Sequence, residues 1–278
     1  MSGGLWFGVL PGETQEPPKI DTSVAHIARV YNYWLGGKDN FAADREVGDL
    51  AIKAYPDIRS SVRANRAFLR RTVRYLTAEA GIRQFLDIGT GLPLTDNTHE
   101  TAQAIAPQSR VMYVDNDPVV LAHARALLTS GPQGVTGYLD ADARDPDTIL
   151  AQASSLLDFE QPVAVMLVAL LHCIDDADDP SGLVATLMRA VAPGSFLVIS
   201  HPPSDMQQQA PGLAEHADKL SALMAQKVTP RSREQVSAFF DGLELVEPGV
   251  VPIQQWRPDN DAEATARAGM WGGVGRKP

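Results

Sequence analysis

The sequence predicts an α/β fold: a doubly wound, mostly parallel, seven-stranded sheet with an N-terminal helical extension. Three observations carry that expectation. After Gly81, short apolar runs alternate with helical patterns, as in parallel strands covered on both faces. The first of these runs, FLDIGTG, ends in a glycine turn. Before Gly81 the apolar residues follow a helical period instead, with no strand pattern among them.

Residues 1–20 carry glycines, prolines and few periodic apolar positions, and read as a tail or packing arm. Ile27, Val30, Tyr31, Trp34 and Leu35 share one helical face, which Gly36-Gly37 ends. A second helix is expected over 44–54, stopping before Pro56, and a third from about Ser60 to Gly81. Arg63, Arg66, Arg70, Arg71 and Arg74 on this third helix read as a solvated face. Strands follow at 84–88, 110–114, 135–139, 163–170 and 195–200. The helices between them are expected at 98–106, 118–128, 147–152 and 180–191. Residues 201–229 break the rhythm with a loop and a helix, 213–227, inserted over the sheet. Ser232 and Gln235 form a capping box, and LELVEPGVV and AGMWGGVGRK supply two final strands. The division is therefore a tail and helical lid over 1–80 and a sheet domain over 81–278.

Composition narrows the function. A net charge of −10, from 24 basic and 34 acidic residues, argues against nucleic acid as a partner. One cysteine, Cys173, excludes an internal disulfide and a multi-cysteine zinc site. The longest apolar run, 163–171, is too short for a bilayer, and the N-terminus lacks a signal-peptide pattern. A cytoplasmic protein with no membrane partner is expected. No residue specifies an oligomeric state.

The glycine turn points to a ligand at the carboxyl ends of the strands. Gly89 and Gly91 let the backbone approach it, but Leu94 stands where a dinucleotide loop carries its third glycine. Asp87 beside the turn suits a cationic ligand better than a phosphate, and no Lys-Ser or Lys-Thr pair follows. The second strand ends in Asp115, placed to accept hydrogen bonds from ribose hydroxyls, while Asp117 reads as the cap before Pro118. The third strand brings Asp142 to the same rim, and the fourth brings Leu170, Leu171 and His172. His172 and His201 are the candidate general bases, each with packing as its alternative. The acids Asp175, Asp176, Asp178 and Asp179 read as a helix N-terminus rather than a metal site. Gly36 to Phe41 reads as a helix cap and loop, or as a lid carrying Lys38 or Asn40 towards the ligand or substrate. Asn65 or Arg66 is a candidate partner for a ligand carboxylate.

Residues 87–91, Asp115, Asp142 and VAPGSFLVIS resemble successive motifs of class I S-adenosylmethionine-dependent methyltransferases, over residues 84–200. The two final strands fit the antiparallel hairpin that closes that Rossmann-like fold. More narrowly, YNYWLGGKDNF, VRANRAFL, LDIGTGLP, NTHE, MYVDNDP and WRPD resemble a bacterial methyltransferase-like family of unestablished substrate. Leu92-Pro93 departs from the small residue many methyltransferases carry there. The resemblance implies S-adenosylmethionine as cofactor and S-adenosylhomocysteine as product. It implies Asp87, Gly89, Thr90 and Gly91 around the methionyl part, Asp115 at the ribose and Asn116 along the adenine. Asp142 with Ala143 would meet the adenine amino group, and Leu170 and Leu171 would wall the transferring methyl. The implied activity is methyl transfer to a small-molecule substrate. A non-catalytic S-adenosylmethionine-binding or regulatory protein is the alternative, and a nicotinamide oxidoreductase is opposed by Leu94.

Overall fold

The computed structural model describes residues 5–6, 21–127, 130–206, 222, 224 and 227–278. The extension comprises α1 (Ile27–Trp34), α2 (Ala42–Ala54) and α3 (Ile58–Ala78). The parallel strands are β2 (Gln84–Ile88), β3 (Arg110–Asp115), β4 (Val135–Asp140), β5 (Ala164–Val168) and β6 (Phe196–His201). Between them run α4 (Thr98–Ile105), α5 (Pro118–Leu127), α6 (Pro146–Ala153) and α7 (Pro180–Ala190). A short strand β1 (Leu5–Trp6) lies within the tail. After β6 come α8 (Arg233–Ala238), β7 (Glu244–Leu245), β8 (Val251–Pro252), α9 (Asp261–Ala264) and β9 (Trp271–Arg276).

Among the described residues the sheet runs β1-β4-β3-β2-β5-β6-β9-β7, with β8 beside β9. The five central strands are parallel, and β9 is antiparallel to β6 and β7. Seven of these strands are the expected ones. The additions are β8 and β1, the latter pairing Leu5 with Gly137 where only a tail was expected. The chain winds outward from β2 to β4 and then restarts on the other side at β5, so the switch point lies between β2 and β5. A crevice opens there, beyond the strand tips.

Strand alternation explains the near-continuous apolar runs. Leu86, Ile88, Met112, Val114, Val165 and Leu167 face the core under α6 and α7. Phe85, Val111, Tyr113, Ala164 and Met166 face the opposite core, where Phe68, Leu69, Val73 and Leu76 of α3 pack. The C-terminal part of α3 thus covers the sheet, whereas Ile58 and Val62 at its start join a separate cluster with Val30 and Trp34 of α1 and Val47 of α2.

Several boundaries move for physical reasons. Asp44, expected to begin α2, lies inside its first turn, where Oδ2 accepts from Phe41 N–H at 2.8 Å; the helix starts at Ala42. The solvated-arginine reading of α3 is corrected. Arg63 is exposed, but Arg71 is buried and donates to the carbonyls of Trp256 (3.0 Å) and Ile253 (2.7 Å) and to Glu263 (2.6 Å). Arg70 bonds Glu263 and Asp259, and Arg74 also pairs with Asp259. The motif WRPD is therefore the seat on which α3 is pinned. The expected capping box of α8 is present, with Gln235 N–H donating to Ser232 Oγ at 3.2 Å. The expected helix 213–227 lies largely outside the described residues. No described helix is long and apolar enough to cross a membrane.

Candidate functional site

The strand-tip crevice is closed on its open side by α1, α3 and described parts of 202–230, forming a cavity of about 360 Å³. Its floor is the glycine turn. Gly89 and Gly91 adopt φ of 73° and 66°, the left-handed region that disfavours side chains. A Cβ on Gly89 would stand 2.6 Å from Leu170 Cδ1, so the turn and the β5 tip are in close contact. Thr90 Oγ1 donates to Asp87 O at 3.1 Å, tightening the loop. Leu92 is buried against Val119 and Val120 of α5, with Ala28 of α1 and Phe41 beside them. The bulk at this departure from the small-residue pattern joins the loop to both α5 and the lid.

Asp87 is buried beneath the turn. Its Oδ2 accepts from Thr98 Oγ1 at 2.6 Å, yet burial pushes the carboxyl up to about 6. Asp115 accepts from Gly91 N–H (2.8 Å) and Asp117 N–H (2.9 Å), tying the β3 tip to the glycine turn, and burial raises its carboxyl too. Asp117 caps α5 as expected, accepting from Val119 N–H at 2.7 Å. Its other oxygen meets His26 Nδ1 at 2.8 Å. That nitrogen also accepts from Ala28 N–H at 3.4 Å, capping the start of α1. His26 thereby latches the start of α1 to the crevice.

Asn116, Asp142 and Ala143 all line the cavity. Asp142 is held by Arg144, whose Nε and Nη2 donate at 2.9 Å and 2.5 Å, and this hydrogen bonding lowers its carboxyl below the usual range. The pair Leu170 and Leu171 splits: Leu170 lines the cavity, whereas Leu171 is fully buried in the core.

The two histidines separate as well. His201 is fully buried and lies outside the cavity wall, with Nδ1 donating to Pro202 O (2.9 Å) and Nε2 accepting from Arg231 (3.0 Å). Burial, then the neighbouring His172, holds its ring well below the ordinary histidine value. Both nitrogens are committed to these partners. His172 lines the cavity, its Nδ1 has no hydrogen-bond partner, and burial with Arg231 brings it down to about 4. Its carbonyl accepts from Thr229 N–H at 2.8 Å, so the cover packs directly on this turn.

Lys38 is exposed and Asn40 is turned into its own loop, donating to Asn32 Oδ1 (3.0 Å) and Gly37 O (2.9 Å); neither lines the cavity. From YNYWLGGKDNF the wall takes Tyr31, Asn32 and Trp34, of which Asn32 is the polar one that sequence reasoning missed. Its signal was a polar side chain inside an apolar helical stripe. Asn65 and Arg66 do line the cavity. Asn65 Nδ2 donates to Tyr31 Oη (3.0 Å), and its Oδ1 accepts from Ser200 Oγ (2.6 Å), which in turn accepts from Ala169 N–H (2.9 Å). Ala169 itself has φ 52° at the β5 tip, a strained conformation in the crevice. Arg66 donates to Thr95 O at 2.8 Å and to Asp96 O at 3.2 Å. Of the acids after β5, Asp179 caps α7 through Gly182 N–H as expected, whereas Asp176 pairs with Arg231 and Asp175 with Lys227. Among the described residues no group of three metal-ligating side chains occurs.

A doubly wound sheet with a glycine turn, acidic strand tips and a covered switch-point crevice defines a Rossmann-like nucleoside-binding protein. The chain belongs to the S-adenosyl methyltransferase family, whose model matches residues 13–278. It is a class I methyltransferase, and its cofactor is S-adenosylmethionine. Among solved structures, a DUF574 family protein from Streptomyces avermitilis is 43% identical, covering 94% of this chain and 100% of that one with a TM-score of 0.88. A protein from Thermobifida fusca, provisionally assigned as a methyltransferase, is 41% identical over 95% of this chain and 99% of its own, with a TM-score of 0.85. A methyltransferase from Anabaena variabilis, at 10% identity, covers 96% of this chain and 100% of its own with a TM-score of 0.51, a likeness of fold alone. No curated protein matches the chain.

Proposed function

We propose that this methyltransferase transfers a methyl group from S-adenosylmethionine to a small-molecule acceptor. The observation that carries the reading is the cavity: helices cover the strand-tip crevice, leaving about 360 Å³, the scale of a small-molecule site. The residues present fit the cofactor. A buried carboxyl raised to about 6 has a neutral environment that a cation would complement, and the left-handed glycines leave the backbone bare beside it.

When bound, S-adenosylmethionine supplies an electrophilic methyl carbon on a sulfonium, so the protein's tasks are alignment, water exclusion and proton handling. Asp87 and the 89–91 turn would receive the methionyl part, and Arg66 its carboxylate. Asp115 would hold the ribose, with Asn116, Asp142 and Ala143 along the base and Leu170 against the turn. Of the two histidine candidates for a base, His172 is the one that lines the cavity. The segment before Gly81 works as the cover, latched by His26 to Asp117 at 2.8 Å. Replacing Asp115 with Ala should weaken S-adenosylmethionine binding by about 1–3 kcal/mol in a calorimetric titration, as for a lost charged hydrogen bond. Unchanged affinity removes Asp115 from the ribose. Tight binding without S-adenosylhomocysteine formation across acceptor panels would favour a regulatory binding protein instead.

A further inference from the structure

The cavity has two unlike walls, and the helical one describes the acceptor. Tyr31, Trp34 and Tyr55 bring aromatic rings to it, and Val62, Met224 and Met270 bring apolar surface. Most polar groups of this wall are occupied, with Asn32 Nδ2 left without a partner. Tyr55 Oη bonds Ser61 Oγ at 2.7 Å, Ser61 Oγ also accepts from Gly269 N–H at 2.9 Å, and Asn65 is spent on Tyr31 and Ser200. Its two described cations are engaged as well, Arg66 with the Thr95 and Asp96 carbonyls and Lys227 with Asp175. An acceptor carrying a full charge would be desolvated among these rings and would have to compete with the Arg66 and Lys227 contacts for a counter-ion.

We infer that the methyl acceptor is an uncharged aromatic compound bearing a hydroxyl, its ring held among Tyr31, Trp34, Tyr55 and Met224 and its hydroxyl directed to the ring of His172. The inference rests on the methyltransferase reading of this cavity. His172 lies where the two walls meet, through the 2.8 Å bond from Thr229 N–H to its carbonyl. In the transfer, a lone pair of the aryl oxygen forms the bond to the methyl carbon and the carbon–sulfur bond breaks. Its electron pair stays on sulfur, leaving a neutral thioether, and the hydroxyl proton passes to the His172 ring and then to water. One positive charge is thus moved from sulfonium to imidazolium. Burial and Arg231 keep the ring neutral and only weakly basic, at about 4. Towards so weak a base an aryl hydroxyl, with a pKa of about 10 as in tyrosine, gives up its proton more readily than the much less acidic alkyl alcohols.

The test uses the full-length protein saturated with S-adenosylmethionine, binding of the cofactor being established first by calorimetry. Three probes are then compared by fluorescence titration and by formation of S-adenosylhomocysteine: 2-naphthol, the anionic 2-naphthol-6-sulfonate and the cationic 6-(aminomethyl)-2-naphthol. The expected result is at least tenfold tighter binding of 2-naphthol than of either charged probe, with O-methylation of 2-naphthol alone. Trp34→Leu should weaken 2-naphthol about tenfold and leave cofactor affinity within twofold; if this variant does not fold, the three-probe comparison on the unaltered protein still decides. Cofactor binding with a charged probe preferred, or with none of the probes bound, overturns the acceptor class. Failure to bind the cofactor at all overturns the underlying site reading instead.

Discussion

The sheet wall and the helical wall of the cavity solve different problems. Charges sit at the strand tips, and each is anchored to backbone or to a near neighbour: Asp87 to Thr98, Asp115 to the amides of Gly91 and Asp117, Asp142 to Arg144. The parallel ladder fixes where those tips end, so the carboxylates converge without help from distant segments. On the helical wall, position comes from packing and from buried ion pairs between segments far apart in the chain. Arg29 lies 3.3 Å from Asp44, joining α1 to α2, and Arg71 joins α3 to the segment before β9. One wall is set by local strand order. The other depends on long-range pairs, and that is where substitutions should be most damaging to the fold.

Arg71→Ala is the strongest test of that contrast. It removes a buried guanidinium that satisfies two carbonyls and Glu263 at once, and should cost about 3–5 kcal/mol of stability in denaturant unfolding. Arg63→Ala, on the same helix but exposed, should cost no more than about 0.5 kcal/mol. Equal costs would mean that α3 is not held by this pair and that the contrast between the walls is lost.

Alanine substitutions in the glycine turn probe the sheet wall with a smaller effect. Gly91→Ala meets no atom within 4 Å and suffers only its φ of 66°, about 1 kcal/mol. Gly89→Ala adds the 2.6 Å approach to Leu170 Cδ1 to a similar strain, and should cost about 2 kcal/mol because the leucine end can shift. Thermal unfolding of the two variants gives the order. A reversed order would mean that the β5 tip does not rest on the turn.

The same contrast explains what was legible in the sequence. Asp87, Asp115 and Asp142 were readable because a strand period delivers its last residue to the rim, and Asp117 because caps are local. Leu171 was assigned to the wall along with Leu170, but the turn after β5 sends neighbouring side chains to opposite sides. Lys38 and Asn40 drew attention as polar residues after two glycines, yet that loop folds back on Asn32, a residue hidden within an aromatic stripe. Arg71 could not be told from Arg63 or Arg74, since which helical face is covered depends on carbonyls about 185 residues away. No local sign showed that Arg231 would occupy the His201 lone pair.

The finest test separates two titrations that share one pH window. The Asp87 carboxyl stands at about 6 in the fold against 3.8, so its contribution to stability is full below about 4 and is lost as pH rises through 6. His172 stands at about 4 against 6.5, so its contribution has the opposite sign and is lost as pH falls from 6.5 to 4. In overall stability the two largely offset one another, and a melting curve of the unliganded protein against pH reads neither. Cofactor binding does distinguish them, because a sulfonium beside Asp87 favours the ionised carboxylate. Affinity for S-adenosylmethionine should therefore be about tenfold weaker at pH 5 than at pH 7, the proton competing for one site with a pKa near 6. Asp87→Asn should bind weakly with a flat profile over that range, whereas His172→Gln should keep the slope. A slope that survives in Asp87→Asn would move the cation-binding role to another carboxylate, with Asp115, also raised by burial, the next to be replaced.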